Sequence, residues 1–291
     1  MSTRSPLTPV VEALEGLSLL DGPGKRLGKS VRGKLKPGVV KDAVSGTWLG
    51  HALHPVLTDV VVGSFLSASV LDLLGGDDDG AAAERLIAVG LAAYGPTALT
   101  GVSDWADSEI ADPRVRRVGL IHAASNAAAA SLYTASLVAR RRGSRGRGTM
   151  LALAGASALG GGAWLGGHLS FVRGVGANQT AFDEGPGDWT QALEAGALSE
   201  GESRRVVVDD TPVLLVRHGH GFHALHDRCS HRGCSLTDYG EVEGEVVTCK
   251  CHGSQFDLRD GSIIRGPAAA PQPVFDARES DGQIELRLRS G

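Results

Sequence analysis

The sequence is short of cysteine, shows no excess of basic charge, and opens without an evident cleavable signal peptide. Its 291 residues include only four cysteines, all between Cys229 and Cys251, so any cysteine chemistry is confined to one stretch. A formal net charge of −4 gives no support for a nucleic-acid partner. Four long stretches, about 52–75, 86–102, 118–139 and 149–172, are rich in Ala and Gly. They lack most of the polar stripe that an amphipathic bundle helix must show.

The cysteines stand among histidines. Cys229-Ser230-His231 is followed, after 17 intervening residues, by Cys249-Lys250-Cys251-His252. Two thiolates and two imidazoles delivered from two loops suit a Rieske-type [2Fe-2S] cluster, with sulfurs on one iron and histidines on the other. Thiolate is the soft anionic donor that iron bridged by sulfide requires. Neutral imidazole in place of two thiolates leaves the cluster less negative and raises its potential. The free ring nitrogen of a bound imidazole can also titrate, coupling reduction to proton uptake. The competing reading is zinc, whose ligands usually come as C-x2-4-C and H-x3-5-H pairs of one kind. Here each pair is mixed, and Gly233, Gly253 and Ser254 flank the pairs, which favours iron–sulfur.

Residues 203–291 resemble a Rieske domain through the boxes CSHRGCSL (229–236) and CKCHGSQFD (249–257). The resemblance implies Cys229, His231, Cys249 and His252 as ligands. It also matches Cys234 and Cys251 to the extra pair of the Rieske proteins of cytochrome bc-type complexes, where a disulfide joins the cluster loops. Otherwise both thiols would stay reduced as small buried apolar groups. Ser254 matches a serine whose hydroxyl donates to cluster sulfur. Phe256 departs from the pattern, standing where quinol-oxidising members commonly carry a tyrosine, and Phe cannot donate a hydrogen bond. The potential is therefore expected to be fairly high but below that of the tyrosine-bearing relatives. Gly266-Pro267-Ala268 resembles the proline loop that covers the cluster. Short β-favouring runs at 204–208, 213–217, 222–226, 274–278 and 284–288, broken by turn residues, predict a small all-β domain.

The N-terminal part reads as four transmembrane helices, three long enough to span and the 86–102 stretch borderline. A soluble four-helix domain is the alternative, since Asp59, Asp72, His54 and Asn126 fall inside the stretches. The motif 46–55 (GTWLGHALHP), with Leu71-Asp72 and Ser103-Asp104-Trp105, resembles a family of predicted four-helix bacterial membrane domains sometimes fused to Rieske domains. The expected architecture is α + β in separate domains. It comprises an N-terminal segment 1–45, a four-helix transmembrane domain 46–175, a linker 176–202 and a Rieske domain 203–291. Within the N-terminal segment, Lys25 to Lys36, with Leu27, Val31 and Leu35 at helical spacing, resembles a helix on an anionic membrane surface, or else is a solvated arm.

In an up-down-up-down bundle His51, His54, His122, His168 and Asp104 fall at one membrane face. They are candidates for a b-type haem or quinone site, with His54 and His122 as the first axial pair, or for a purely structural role. His218, His220, His223 and His226 read as an exposed hairpin rather than a metal site. The five arginines between Arg140 and Arg147 favour a cytoplasmic side for that loop and a multi-pass protein with the Rieske domain outside the cytoplasm. The functional expectation is a membrane-anchored carrier of single electrons between a membrane donor, quinol or b-haem, and an acceptor protein. The alternatives are a ferredoxin-like component feeding a separate oxygenase or reductase, and a redox sensor or assembly factor. A self-contained Rieske oxygenase would need a second iron domain, and little sequence follows His252.

Overall fold

The computed structural model describes residues 6–76, 79–183, 185–219 and 221–289. The chain packs as two units, one of Met1–Leu35 with Leu53–Val175, the other of Lys36–Ala52 with Gly176–Gly291.

The first unit is helical: α1 (Thr8–Glu15), α2 (Asp21–Lys34), α4 (Leu53–Leu74), α5 (Gly80–Ser108), α6 (Pro113–Arg141) and α7 (Arg145–Gly167), which runs on into a π turn at His168–Val172. Helices α4 and α5 pack as one hairpin and α6 and α7 as another. Close approach is bought with glycine. A Cβ on Gly90 would meet the Phe65 ring at 2.5 Å, and one on Gly162 would meet Asn126 at 2.6 Å. Phe65 stacks on Tyr133 with ring centroids 3.9 Å apart, and the Tyr133 hydroxyl is 2.9 Å from Ser69 Oγ and 3.1 Å from the Phe65 carbonyl. Around this core several polar side chains point inward and many apolar ones outward. Ser64, Ser69, Thr97, Thr100 and Ser136 are buried, whereas Val60, Leu66, Val70, Leu73, Val89 and Met150 are exposed.

Among the described residues three helices are long and apolar enough to cross a membrane: Leu53–Leu74, Gly80–Ser108 and Arg145–Val172. The borderline stretch thus proves long enough, because its helix extends beyond 86–102 at both ends. The remaining helix, α6, has the length but a middle of Ala, Ser and Asn and arginines at both ends. The basic segment also differs from its expectation. Helix α2 turns Gly24 and Gly28 inward against Arg116 and Glu109, and Val31 joins the core around Trp105 and Val118. Of the apolar positions at helical spacing, Val31 packs inward while Leu27 is exposed, and the closest approach is made at the glycines.

The second unit is antiparallel β. Strands β1 (Thr190–Glu194), β2 (Ser203–Val208), β3 (Thr211–His218), β4 (Gly221–His226), β9 (Val274–Ser280) and β10 (Gln283–Leu288) form a sheet in the order β1-β10-β9-β4-β3-β2. Strands β5 (Gly240–Glu243), β6 (Val246–Cys249), β7 (Gln255–Asp257) and β8 (Ile263–Arg265) form a second sheet in sequential order. The β2–β3 turn is the two residues Asp209 and Asp210, both at positive φ, which suits the right-handed twist of the hairpin. Both faces of β3 are covered. Leu214 and Val216 join the core that also holds Cys229 and Cys249, and Val213 and Leu215 join a second core with Phe275 and Ile284. Strand β1 falls inside the stretch read as a linker; its pairing with β10 moves the start of the β domain upstream of 203.

Lys36–Ala52, divided by the sequence reading between the N-terminal segment and the membrane domain, packs with this β unit. It carries α3 (Val39–Ser45) and a 3-10 turn at Thr47–Leu49.

Candidate metal centre

Two loops of the same construction bring the cysteine–histidine boxes together. In the first, which follows β4, the Cys229 N–H donates to the Cys234 carbonyl and the Gly233 N–H to the Cys229 carbonyl, each at 2.8 Å. In the second, between β6 and β7, the Cys249 N–H donates to the Ser254 carbonyl and the Gly253 N–H to the Cys249 carbonyl, again at 2.8 Å. The glycine four residues after each cysteine closes the loop at positive φ, +74° and +88°. Equivalent positions carry Cys229 and Cys249, while two residues further on stand His231 in one loop and Cys251 in the other. That offset is why the pairs look mixed in sequence.

Cys229 and Cys249 are buried side by side, and the His231 and His252 rings stand 5.0 Å apart edge to face. The Sγ atoms of Cys234, Cys249 and Cys251 lie within 4.8 Å of one another, but Cys234 and Cys251 form a disulfide with Cα atoms 6.7 Å apart. Only Cys249 of those three is therefore available as a thiolate. The hydrogen bond to Cys249, and then burial, push the Cys229 thiol well up. The same bond, with backbone N–H groups of Cys251 and His252, brings Cys249 down to about 7. Backbone N–H groups of His231 and Arg232 likewise favour the Cys229 thiolate. Burial above all, with Arg232, His252 and Lys41 nearby, holds His231 well below the ordinary imidazole range and so neutral, as a metal ligand must be. Two adjacent sulfurs, two adjacent imidazoles and N–H groups aimed at sulfur fit an asymmetric [2Fe-2S] cluster; the separate pairing of sulfur with sulfur and ring with ring suits two irons.

The support around the loops is partly new. Ser254 is fully buried, and its Oγ accepts the Ala268 N–H at 3.0 Å from the loop that begins with the cis bond Gly266–Pro267. Phe256 lies in the core under the cysteines. Gln272, absent from the sequence reading, clips the first loop: it accepts from the Ser230 N–H at 3.0 Å and donates to the carbonyls of His226 and Arg228 at 2.6 and 2.5 Å. Asp227 does similar work, accepting from the N–H and hydroxyl of Thr237 at 2.7 and 2.6 Å. No motif marks either residue, because each binds backbone.

The membrane-side histidines do not all converge: His54 and His122 lie close enough for one to feel the other's charge, while His51 and His168 have other partners. His51 is exposed, with Nδ1 3.1 Å from the Ala52 carbonyl, and belongs to the β unit. In the helical unit His54 Nδ1 lies 3.0 Å from the Thr97 carbonyl and 3.1 Å from Thr100 Oγ1. His122 Nδ1 lies 2.8 Å from the Gly162 carbonyl, and Asn126 Nδ2 stands 3.2 Å from its Nε2. An axial haem ligand needs a free ring nitrogen, and both of His122's are engaged, so the haem expectation lacks structural support. His168 Nε2 is 2.8 Å from Glu15 Oε1, a carboxylate that Arg173 also holds at 2.5 Å. Asp104 sits half-buried near the end of α5. In the β unit His218 and His223 lie 6.5 Å apart and His226 is fully buried, not exposed; His220 falls outside the described residues.

An antiparallel β unit carrying paired cysteine–histidine loops joined by a disulfide defines an iron–sulfur electron-transfer protein. The chain belongs to the Rieske family: residues 188–276 match the Rieske [2Fe-2S] domain, and residues 50–179 match the family described as "Predicted membrane protein (DUF2231)". It is 31% identical over 97 residues to ferredoxin CarAc of Metapseudomonas resinovorans, covering 33% of this chain and 90% of that protein. It is 31% identical to sulredoxin of Sulfurisphaera tokodaii over 108 residues, 34% of this chain and 96% of that one. Among solved structures it is similar to a chain of the reduced-oxygenase and oxidised-ferredoxin complex of carbazole 1,9a-dioxygenase, at 28% identity and TM-score 0.33 over 35% of this chain and 97% of that one.

Proposed function

We propose that the protein is a membrane-anchored Rieske carrier that passes single electrons from a donor in the membrane to an acceptor protein. The observation that carries this reading is the pair of equivalent loops that set Cys229 beside Cys249 and His231 beside His252. In it Cys229 and Cys249 hold one iron and His231 and His252 the other, and the bound cluster supplies one-electron chemistry near the surface of the β unit. The chain's own part is to fix the ligands, shield the sulfurs and direct donors at them. The disulfide ties the loops, Gln272 and Asp227 hold the first loop, and Ser254 keeps a hydroxyl proton for sulfur because its lone pair takes the Ala268 N–H.

Anchoring rests on the match to a predicted membrane family and on helices that bury serine and threonine while exposing valine and leucine. Quinol is the proposed donor class, with His54 as its polar contact. A second reading, a ferredoxin-like component feeding a separate oxygenase or reductase, is favoured by Phe256, which offers no donor to sulfur, and by relatives that are ferredoxins.

Iron, sulfide and haem analysis of detergent-purified protein, with EPR of the dithionite-reduced form, tests the proposal. Two irons and two sulfides per chain with a rhombic reduced signal are expected. Colourless protein with one tetrahedral ion refutes it. A redox titration across pH separates the readings: a high potential that falls above neutrality supports the quinol role, and a low, pH-independent one the ferredoxin role.

A further inference from the structure

The segment Lys36–Ala52 lies in sequence between α2 and α4, yet it packs on the cluster loops of the β unit. It is pinned at three points. Pro37 lies so close over Gly253, the residue after His252, that an added Cβ would overlap its ring. Thr47 and Asp42 cover Gly266 in the same way. Thr47 Oγ1 also donates to the Ala268 carbonyl at 3.2 Å, on the residue whose N–H reaches Ser254, and Asp42 stands 3.9 Å from Arg265. Gly253 has a positive φ and needs glycine for its backbone alone, but Gly266 does not. The missing side chain at 266 is explained by the strap.

The strap has two sides. Val39, Val40 and Trp48 face outward, while Lys41, 3% exposed, lies on the inner side with its charge felt at His231. A cluster with two thiolate and two imidazole ligands is neutral when oxidised and anionic after taking up one electron, so a fixed cation beside it favours the reduced state.

We propose that Lys36–Ala52 is a third element of the cluster site, a strap that closes the histidine side of the two loops and through Lys41 stabilises the reduced cluster. Lys41 is a positioning charge; it transfers no proton, and the electron comes from the one-electron donor. The proposal rests on the presence of the Rieske cluster argued above.

The test uses the full-length protein in detergent with its cluster bound, titrated with dithionite and followed by EPR. Lys41→Gln is expected to lower the reduction equilibrium constant about tenfold, which is 59 mV for one electron, while Lys41→Arg stays near wild type. Gly266→Ala wedges the strap away, and pulsed EPR in deuterated buffer then shows stronger deuterium coupling at the cluster together with a lowered potential. Adding Thr47→Ala gives back the space and restores both readings, which mere damage to the proline loop would not allow. Wild-type potential in Lys41→Gln, or Gly266→Ala with unchanged deuterium coupling, overturns the proposal. Wild-type protein lacking any reduced [2Fe-2S] signal would instead overturn the cluster assignment.

Discussion

At the scale of single residues, the site is built from groups whose two faces do different things. Ser254 accepts a backbone N–H with its oxygen, and on the proposed reading its proton goes to a sulfur. Ser254→Ala removes a hydrogen bond to a charged acceptor, worth about 1.5 kcal/mol at the low end, so the midpoint potential should fall by roughly 60 mV for one electron. EPR-monitored titration reads this directly, and an unchanged potential would mean that the hydroxyl points elsewhere. His226 makes the opposite kind of statement, about stability. It is fully buried, with Nδ1 accepting the Arg228 N–H at 3.0 Å and Nε2 3.2 Å from Asp183. Burial, only partly offset by Asp183, holds its pKa below the ordinary 6.5. Below that value the unfolded chain binds a proton that the folded one refuses, so stability is full above pH 6.5 and declines as pH falls toward the folded value. His226→Asn, which can still accept from Arg228, should flatten that decline. The midpoint of thermal bleaching of the cluster, measured from pH 7.5 to 5 for both proteins, checks it.

At the scale of elements, each helix hairpin closes over glycine, and the two hairpins meet through the Phe65–Tyr133 stack. Gly90→Leu would drive a branched side chain into Phe65, which is held in place by its stack on Tyr133. Overpacking of this kind costs about 1–3 kcal/mol, to be seen as a lower thermal midpoint in detergent, whereas Gly160→Leu, with nothing within 4 Å, should be tolerated. The same glycines explain what could be read in advance. The strands β2, β3, β4, β9 and β10 follow from branched residues bounded by Asp, Pro and Gly, and the box loops from Cys, His and Gly at fixed spacing. Strand β1 was hidden because Thr-Gln-Ala-Leu-Glu favours a helix locally and becomes a strand only by pairing with β10. Helix α2's inward face was visible only through Val31, because the glycines beside it have no hydropathy to repeat. The strap was hidden for another reason: its contacts with residues 253–268 are long-range, and no local pattern records them.

At the scale of the whole molecule, the two units differ in what they turn outward. The β unit hides valine, leucine and phenylalanine, as a chain folding in water must. The helical unit has an apolar core of its own around Phe65, Ile87 and Tyr133, but it also hides serine, threonine and an Asp72–Arg140 pair while turning many valines and leucines outward, which is stable where the surroundings are themselves apolar. Charge then argues for direction. At one end of that unit Arg116 is paired with Glu109 and Arg117 with Asp21. At the other, in and before the α6–α7 turn, Arg140 is paired with Asp72 and Arg141 with Glu84, while Arg142 and Arg147 are exposed, so five arginines crowd one short loop. Short loops rich in arginine stay in the cytoplasm. The turn at Ser144 should therefore be cytoplasmic, and the β unit, which follows α7 in the chain, should stand outside, where a disulfide such as Cys234–Cys251 persists. Ser144→Cys should react with a membrane-impermeant maleimide only in inverted vesicles and Asp281→Cys only in intact spheroplasts. The reverse labelling would put the cluster in the cytoplasm, leave its disulfide exposed to a reducing pool, and shift the acceptor to a cytoplasmic protein.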